Sequence, residues 1–382
     1  MNILMIVMES VGAERLQLYG ASYKDSPEMV RLASHGLIFD RIYAAQSYSS
    51  AATPELFCSL YPEHGRSNIL RLSPNIGVPG LADILASHGY RTAFMHEGQL
   101  SFEHELDFVE SHGFQQIFLR DHDPAVSRDS ALLPIIEGWI KADDTKPFLL
   151  VIWTQDTHHP YLSMSDDHYN TPDHQLNRYL NAVHSADAFV GTVVHSMSEM
   201  NIAQKTILVI TGDHGEAFGE HGQLVHGFTV YDEEVHIPLL FIQPRMFSNE
   251  SHVTWLGRQI DIGPTLLGLL GYAEPKSWQG TDLLGNYRPE RAYLFASSGD
   301  LSLGFVEGTF KYIYNFDRDR GELYDLAHDP REMHDLSSEP GKTEILARDH
   351  LRVEAWLWFQ DKYLASFRRP QHERTLVERK VE

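Results

Sequence analysis

Cysteine is almost absent from this chain, which carries Cys58 alone. One thiol cannot close an intramolecular disulfide or build a three- or four-thiolate zinc site, and it leaves the redox compartment open. Long apolar runs are missing as well. No segment approaches the roughly 18 consecutive apolar residues of a membrane-spanning helix, so the chain reads as soluble. Basic residues are scarce beside acidic ones, 31 Lys+Arg against 53 Asp+Glu, for a formal net charge of −22. That balance excludes a nucleic-acid partner, because phosphate contacts need clustered Lys and Arg.

What is present describes an ordinary globular protein: 382 residues, 42% hydrophobic and 22% charged. A large buried core is expected, organised as two units or as one large α/β domain with an appendage. The composition has one excess, its 22 histidines. The apolar start, Met1 to Met8, lacks a basic leader and a small-residue cleavage site and reaches Glu9 too soon for a signal peptide. It reads as a buried first strand. By default the protein is placed in the cytoplasm; the alternative is a periplasmic or extracellular catalytic domain cut from a longer, membrane-anchored protein.

Short apolar runs alternate with amphipathic stretches over the first two-thirds, the pattern of a mostly parallel sheet with helices on both faces. Strands are expected at Ile3–Met8, Arg91–Met95, Phe148–Trp153, Thr206–Ile210 and Pro238–Ile242, and helices near Pro27–His35, Gly80–His88, Ala131–Lys141, His174–Met200 and Ile262–Leu270. From about Arg291 the texture changes to short alternating runs, a small antiparallel sheet, followed by a long helix over Lys342–Phe367 and a frayed basic tail after Arg368. The Pro- and Ser-bearing stretch Tyr272–Glu290 marks the boundary, giving an α/β unit over 1–290 and a sheet-and-helix unit over 291–382.

In open α/β sheets ligands collect at the carboxyl ends of strands. There the chain places Glu9-Ser10, Asp213-His214-Gly215-Glu216 and Gln155-Asp156-Thr157-His158-His159-Pro160-Tyr161. Glu9, Asp213 and His214 converge as oxygen and nitrogen ligands for one divalent ion, and the imidazole favours Zn²⁺ or Mn²⁺ over Ca²⁺. The bland reading is that Glu9 caps a helix and Asp213-His214 makes a turn. Small residues from Ser49 lead to Pro54, well placed for a first helical turn, so a hydroxyl near Ser49 lies at a helix N-terminus. That location stabilises an anion, an ionised nucleophile or the phosphate or sulfate it attacks; equally, Ser49, Ser50 or Thr53 serves only as an N-cap.

These residues carry a resemblance. Ser26 to Arg41, Thr211-Gly212-Asp213-His214-Gly215-Glu216 with Gly219-Glu220-His221-Gly222, Asp261 to Leu267, and Glu322 to Leu326 followed by Asp329-Pro330-Arg331-Glu332 resemble, in order, the motifs of the sulfatase-like branch of the alkaline phosphatase superfamily. The resemblance implies an alkaline phosphatase-like α/β sandwich: a mostly parallel central sheet with helices on both faces, plus a small C-terminal antiparallel sheet and helix. Sulfatases carry paired aspartates, an Asp-Asn pair, and a Cys or Ser in C/S-x-P-x-R that becomes formylglycine. Here the corresponding places hold Glu9-Ser10, Asp213-His214 and Ser49-Ser50-Ala51-Ala52-Thr53, without that Pro and Arg. Cys58 lies well past the nucleophile position. The set Glu9, Ser49, Asp213, His214 is similar to the Glu-Thr-Asp-His metal site of lipoteichoic acid synthases and phosphoethanolamine transferases, with Ser49 as nucleophile and metal ligand.

By the same resemblance His158, in a His-x-Pro-Tyr motif, and His226, twelve residues after His214, bind the substrate phosphate or a second zinc and assist catalysis. His96 matches a substrate-binding histidine. His159 competes with His158 for the inward position, and the bland reading of His221 is a solvated residue. Where lipoteichoic acid synthases hold glycerol phosphate, the chain instead reads Phe102-Glu103-His104-Glu105, which withdraws support for that substrate. The expected function is a metal-dependent phosphoester hydrolase or phosphotransferase acting on an anionic ester through phospho-Ser49, with one or two Zn²⁺ or Mn²⁺. The alternatives are a sulfuric ester hydrolase of the same fold and, more remotely, a non-catalytic binding module.

Overall fold

The computed structural model describes residues 1–63, 76–98, 100, 104–120, 128–163, 169 and 171–367. Phe102, Glu103 and the tail after Arg368 lie outside the described residues. In chain order the strands are β1 (Asn2–Met8), β2 (Gly36–Phe39), β3 (Ile42–Tyr43), β4 (Arg91–Glu97), β5 (Gln116–Arg120), β6 (Phe148–Trp153), β7 (Thr206–Gly212), β8 (His236–Ile237), β9 (Leu239–Ile242), β10 (Ser251–Val253), β11 (Gly257–Arg258), β12 (Arg291–Ala296), β13 (Ser302–Glu307), β14 (Phe310–Asn315) and β15 (Arg320–Asp325). The helices are α1 (Pro27–Ala33), α2 (Ser49–Cys58), α3 (Leu81–Ser87), α4 (Glu105–Ser111), α5 (Leu133–Lys141), α6 (His174–Glu199), α7 (Asp232–Val235), α8 (Ile262–Leu270) and α9 (Thr343–Ala365).

Eight strands form the main sheet in the order β10-β2-β9-β7-β1-β6-β4-β5. Strand β9 runs antiparallel to both its neighbours, and the other pairings are parallel. The central strands are continuous apolar runs because both of their faces are covered. Ile3, Met5 and Val7 point to one side, where they meet Leu56 and Phe57 of α2, Leu81 and Leu85 of α3 and Leu266 of α8. Leu4, Ile6 and Met8 point to the other, against Tyr179, Leu180 and Val183 of α6 and Ile136 of α5. Helices on both faces of a mostly parallel sheet match the fold class expected from sequence.

The small antiparallel sheet runs β12-β13-β14-β15. Val353 of α9 packs on it, while Leu364 near the end of α9 enters the main core and the Gln360 Nε2 amide donates to Tyr61 O at 2.9 Å. Two sequence expectations need correction, and one strand is additional. Helix α2 begins at Ser49, so Pro54 lies inside it, not in its first turn. Strand β9 starts at Leu239, after Pro238, whose carbonyl accepts the Gly212 amide. Strand β5 was not anticipated: it is an edge strand whose residues are all at least partly exposed, so it lacks the apolar run of the central strands. Among the described residues no helix is long and apolar enough to cross a membrane.

Candidate functional site

The parallel register of β1 and β7 builds the site. Met8 pairs with Gly212, so the next residues, Glu9 and Asp213, emerge side by side at the carboxyl edge of the sheet. The chain turns away from β1 at Ser10, which adopts a left-handed φ of 57°. The strain of that conformation in a non-glycine residue is offset by hydrogen bonds: Ser10 N–H donates to Asp213 Oδ1 at 2.7 Å and Tyr179 OH donates to Ser10 O at 2.7 Å. On the other flank β6 contributes the Trp153 indole, whose Nε1 donates to Glu9 Oε2 at 2.9 Å.

Ser49 opens α2 and turns its hydroxyl into this edge. Its Oγ donates to Glu9 Oε1 at 2.9 Å and lies 3.3 Å from His214 Nε2. His214 Nδ1 faces the Gly215 carbonyl at 2.9 Å, so Nδ1 carries the proton and Nε2 offers a lone pair. Asp213 Oδ1 accepts the His214 amide at 2.7 Å, whereas buried Oδ2 has no hydrogen-bond partner and lies 3.4 Å from His214 Nε2. One ligand atom each from Glu9, Asp213 and His214 lies within 4.8 Å of the others, and all three residues are buried. Burial, and then neighbouring Asp213, push the Glu9 carboxyl up; burial raises Asp213 to about 6 and lowers His214 to about 4. Two adjacent buried carboxylates, an unspent carboxylate oxygen and a bare imidazole nitrogen are what a divalent cation would satisfy. The residues fit a metal.

The histidines sort themselves around this centre. The His226 ring lies beside that of His214, centroids 4.3 Å apart and planes tilted by 41°, and the His158 ring centroid lies 5.8 Å from that of His226. His159 turns the other way, exposed and packed on Tyr161, so His158 is the inward residue of the pair. His96, near the end of β4, is buried with Nδ1 3.0 Å from the Trp153 carbonyl; one strand, β6, separates β4 from the strand that leads to Glu9. His221, for which solvation was the bland reading, is instead held on both sides of its ring. Its Nδ1 lies 2.7 Å from Glu233 Oε1, its Nε2 3.0 Å from the Glu332 carbonyl, and its ring stacks on Tyr231.

Sequence reading assigned no role to Glu216, yet the structure does. This buried carboxylate lies 3.1 Å and 3.2 Å from His226 Nδ1 through its two oxygens, and it also accepts the His226 amide and the Tyr161 hydroxyl. His226 is therefore held by its Nδ1 side, leaving Nε2 for other work. Burial opposes charge on both members, but each prevails on the other: His226 is raised to about 9 and Glu216 stays below the usual carboxylate range. A charged residue three positions after Asp213 and ten before His226 was the available signal. Trp153 was likewise passed over as a core residue.

A family model described as Sulfatase matches residues 1–272, and a second, described as N-sulphoglucosamine sulphohydrolase, C-terminal, matches residues 219–356. The chain is similar to an ulvan-active sulfatase of Formosa agariphila, 22% identical over 94% of this chain and 67% of that protein. It is also similar to phosphoglycerol transferase I of Xanthomonas campestris pv. campestris, 27% identical over 57% of this chain and 32% of that protein. The chain thus spans about two thirds of the first relative and about a third of the second. In solved structures the fold recurs in the lipoteichoic acid synthase LtaP of Listeria monocytogenes, with a TM-score of 0.75, 18% identity, and 95% of this chain and 92% of that chain covered.

Proposed function

This chain belongs to the sulfatase family, and we propose that within it the protein is a metal-dependent phosphoester hydrolase or phosphotransferase working through a phospho-Ser49 intermediate. The observation that carries the reading is the Ser49 hydroxyl at the start of α2, 2.9 Å from Glu9 Oε1 and 3.3 Å from His214 Nε2. Sulfatases of the formylglycine type need a Pro and an Arg after the modified residue, and Ser49-Ser50-Ala51-Ala52-Thr53 has neither. An unmodified serine beside a Glu-Asp-His ligand set favours phosphorus over sulfur.

A divalent cation, Zn²⁺ or Mn²⁺, held by Glu9, Asp213 and His214 would supply positive charge that lowers the pKa of the serine hydroxyl and offsets charge on the transferring group. The protein's own residues do the rest. Glu9 orients the Ser49 hydroxyl and receives its proton as Oγ bonds to phosphorus in line with the departing oxygen. The bond from phosphorus to that oxygen breaks, and His226 or His158 returns a proton to it. Water or an acceptor alcohol then attacks the phosphoserine, giving up its proton to the same histidine, and the Oγ–P bond breaks as Glu9 returns its proton to Oγ, restoring the Ser49 hydroxyl. The α2 N-terminus steadies the anion throughout.

Membership in the family and the ulvan-active relative support a second reading, a sulfuric ester hydrolase on the same residues. Steady-state rates on paired aryl phosphate and aryl sulfate esters separate the two. The phosphate should be turned over with kcat/KM at least about tenfold higher, and Ser49→Ala should lose about 10³-fold or more of that activity. Faster sulfate turnover would transfer the assignment to the second reading, and full activity in Ser49→Ala would remove the nucleophile.

A further inference from the structure

Residues 226–229 lie outside helix and strand, yet the amides of His226, Gly227, Phe228 and Thr229 all donate to buried carboxyl groups. Glu216 takes the first, and Glu234 of α7 takes the other three. We propose that Glu234 is a positioning residue, which ties the backbone beside His226 to the segment that leads into Ser49 and so sets that imidazole against the departing oxygen. The proposal rests on the reading of His226 as proton donor to that oxygen and adds the group that fixes its place relative to the nucleophile.

Glu234 stands where three segments of the site meet. Its Oε2 accepts the amides of Gly227, Phe228 and Thr229 at 2.8, 3.2 and 3.3 Å, and its Oε1 accepts the Thr229 hydroxyl at 2.5 Å. Successive N–H groups that converge in this way form an anion-binding concavity, here filled by the protein's own carboxyl group. Ser47, two residues before the nucleophile, joins the same knot: its hydroxyl accepts the Gly227 amide at 3.2 Å and donates to the Thr229 carbonyl at 3.3 Å. The backbone carbonyl of Glu234 accepts the Gly215 amide at 2.8 Å. One residue thus bonds to the chain neighbour of His214 and to that of His226, and Ser47 links both to the approach to Ser49.

Packing alone does not account for a carboxyl group at this place. Glu234 is fully buried, and an apolar side chain would fill the space without the cost of taking a polar group out of water. What only an acceptor supplies is a common direction for three consecutive amides. The fit against the nucleophile segment is tight as well: a Cβ on Gly227 would lie 2.9 Å from Tyr48 Cζ, and Tyr48 immediately precedes Ser49. A shift of this backbone therefore moves His226 relative to Ser49, and misplacement of a proton donor by about 1 Å is enough to cost rate. Glu216 and Glu234 divide the task. The first fixes the ring of His226 through Nδ1, and the second fixes the chain that carries it.

The test compares the metal-loaded wild type with Glu234→Ala, Glu234→Gln and Ser47→Ala. Glutamine keeps one oxygen for the three amides and turns N–H₂ toward the Thr229 hydroxyl, so it should restore what alanine loses. Hydrogen exchange read by mass spectrometry follows the tie without any chemistry: peptides over residues 45–50 and 226–230 should exchange about tenfold faster in Glu234→Ala and at the wild-type rate in Glu234→Gln. Unchanged exchange in Glu234→Ala would overturn the tie even with Ser49 upheld, and faster exchange would support it even if the Ser49 reading falls. Positioning is read from kcat/KM on 4-nitrophenyl and phenyl phosphates, or on the matching sulfates if those are the esters turned over, because the poorer leaving group depends more on a well-placed proton donor. The ratio of the first to the second should rise about tenfold in Glu234→Ala and about threefold in Ser47→Ala, and it should stay at the wild-type value in Glu234→Gln. Equal losses on both esters would make Glu234 a structural support and overturn its positioning role. If Glu234→Ala does not fold, an unchanged ratio in Ser47→Ala overturns it.

Discussion

In the proposed mechanism, Glu216 is the residue that holds the His226 ring ready to act on the departing oxygen. A glutamine there keeps one oxygen for the backbone amides but turns an N–H₂ group toward His226 Nδ1 in place of an acceptor. The imidazole then loses the anchor that leaves Nε2 for the departing oxygen. Glu216→Gln should lower kcat on an aryl phosphate about 10²-fold and change KM much less, in steady-state kinetics with an unaltered melting temperature as control. An equal loss in KM with kcat retained would make Glu216 a substrate-binding support only. The convergence of Glu9, Asp213 and His214 was visible at this scale in advance, because they follow predicted core strands. The partner of His226 was not, since only the return of the chain over ten residues lays Glu216 beneath that ring. Nor could adjacent His158 and His159 be told apart before the turn through Gln155–Tyr161 was seen to send one inward and the other to solvent.

At the scale of elements, the register of β1 on β7 and the start of α2 do most of the positioning. The alternation of apolar runs made the parallel sheet and its covering helices legible, because central strands buried on both faces advertise themselves. Strand β5 and the three-residue β10 did not, being edge pieces with exposed positions. The anchoring of His221 between Glu233 and the Glu332 carbonyl was also hidden, and it titrates. His221 faces acceptors through both ring nitrogens, so it folds as imidazolium: burial opposes the charge, but the bond to Glu233 and then its charge raise the residue from 6.5 to about 9. A raised folded pKa favours the protonated native state. Its stabilisation is full below the unfolded value near 6.5, and it declines as pH rises through about 9. Urea midpoints of wild type and His221→Asn should therefore differ most at pH 6 and converge by about pH 10. A difference that stays constant over this range would deny His221 its charge.

For the whole molecule, a formal charge of −22 opposes the approach of an anionic ester. The candidate site compensates locally, through the α2 N-terminus, the paired imidazolium of His226 and the cation that Glu9, Asp213 and His214 would hold. Without the cation two buried carboxylates are left adjacent, so chelation should abolish turnover and lower the melting temperature. Both should return with Zn²⁺ or Mn²⁺ and not with Ca²⁺; a melting temperature indifferent to chelator and metal would argue that no ion belongs there. Most of the acidic excess then serves as solvated surface, and among the described residues only His96, His112 and His214 of the histidines are buried, the rest being half-buried or exposed. The account turns on the bond formed at Ser49, and the most direct measurement is tandem mass spectrometry of the holoenzyme quenched in acid during turnover of an aryl phosphate. It should find phosphate on Ser49 in the wild type and none in Ser49→Ala. Turnover without any covalent phosphate, or phosphate on a different residue, would contradict it.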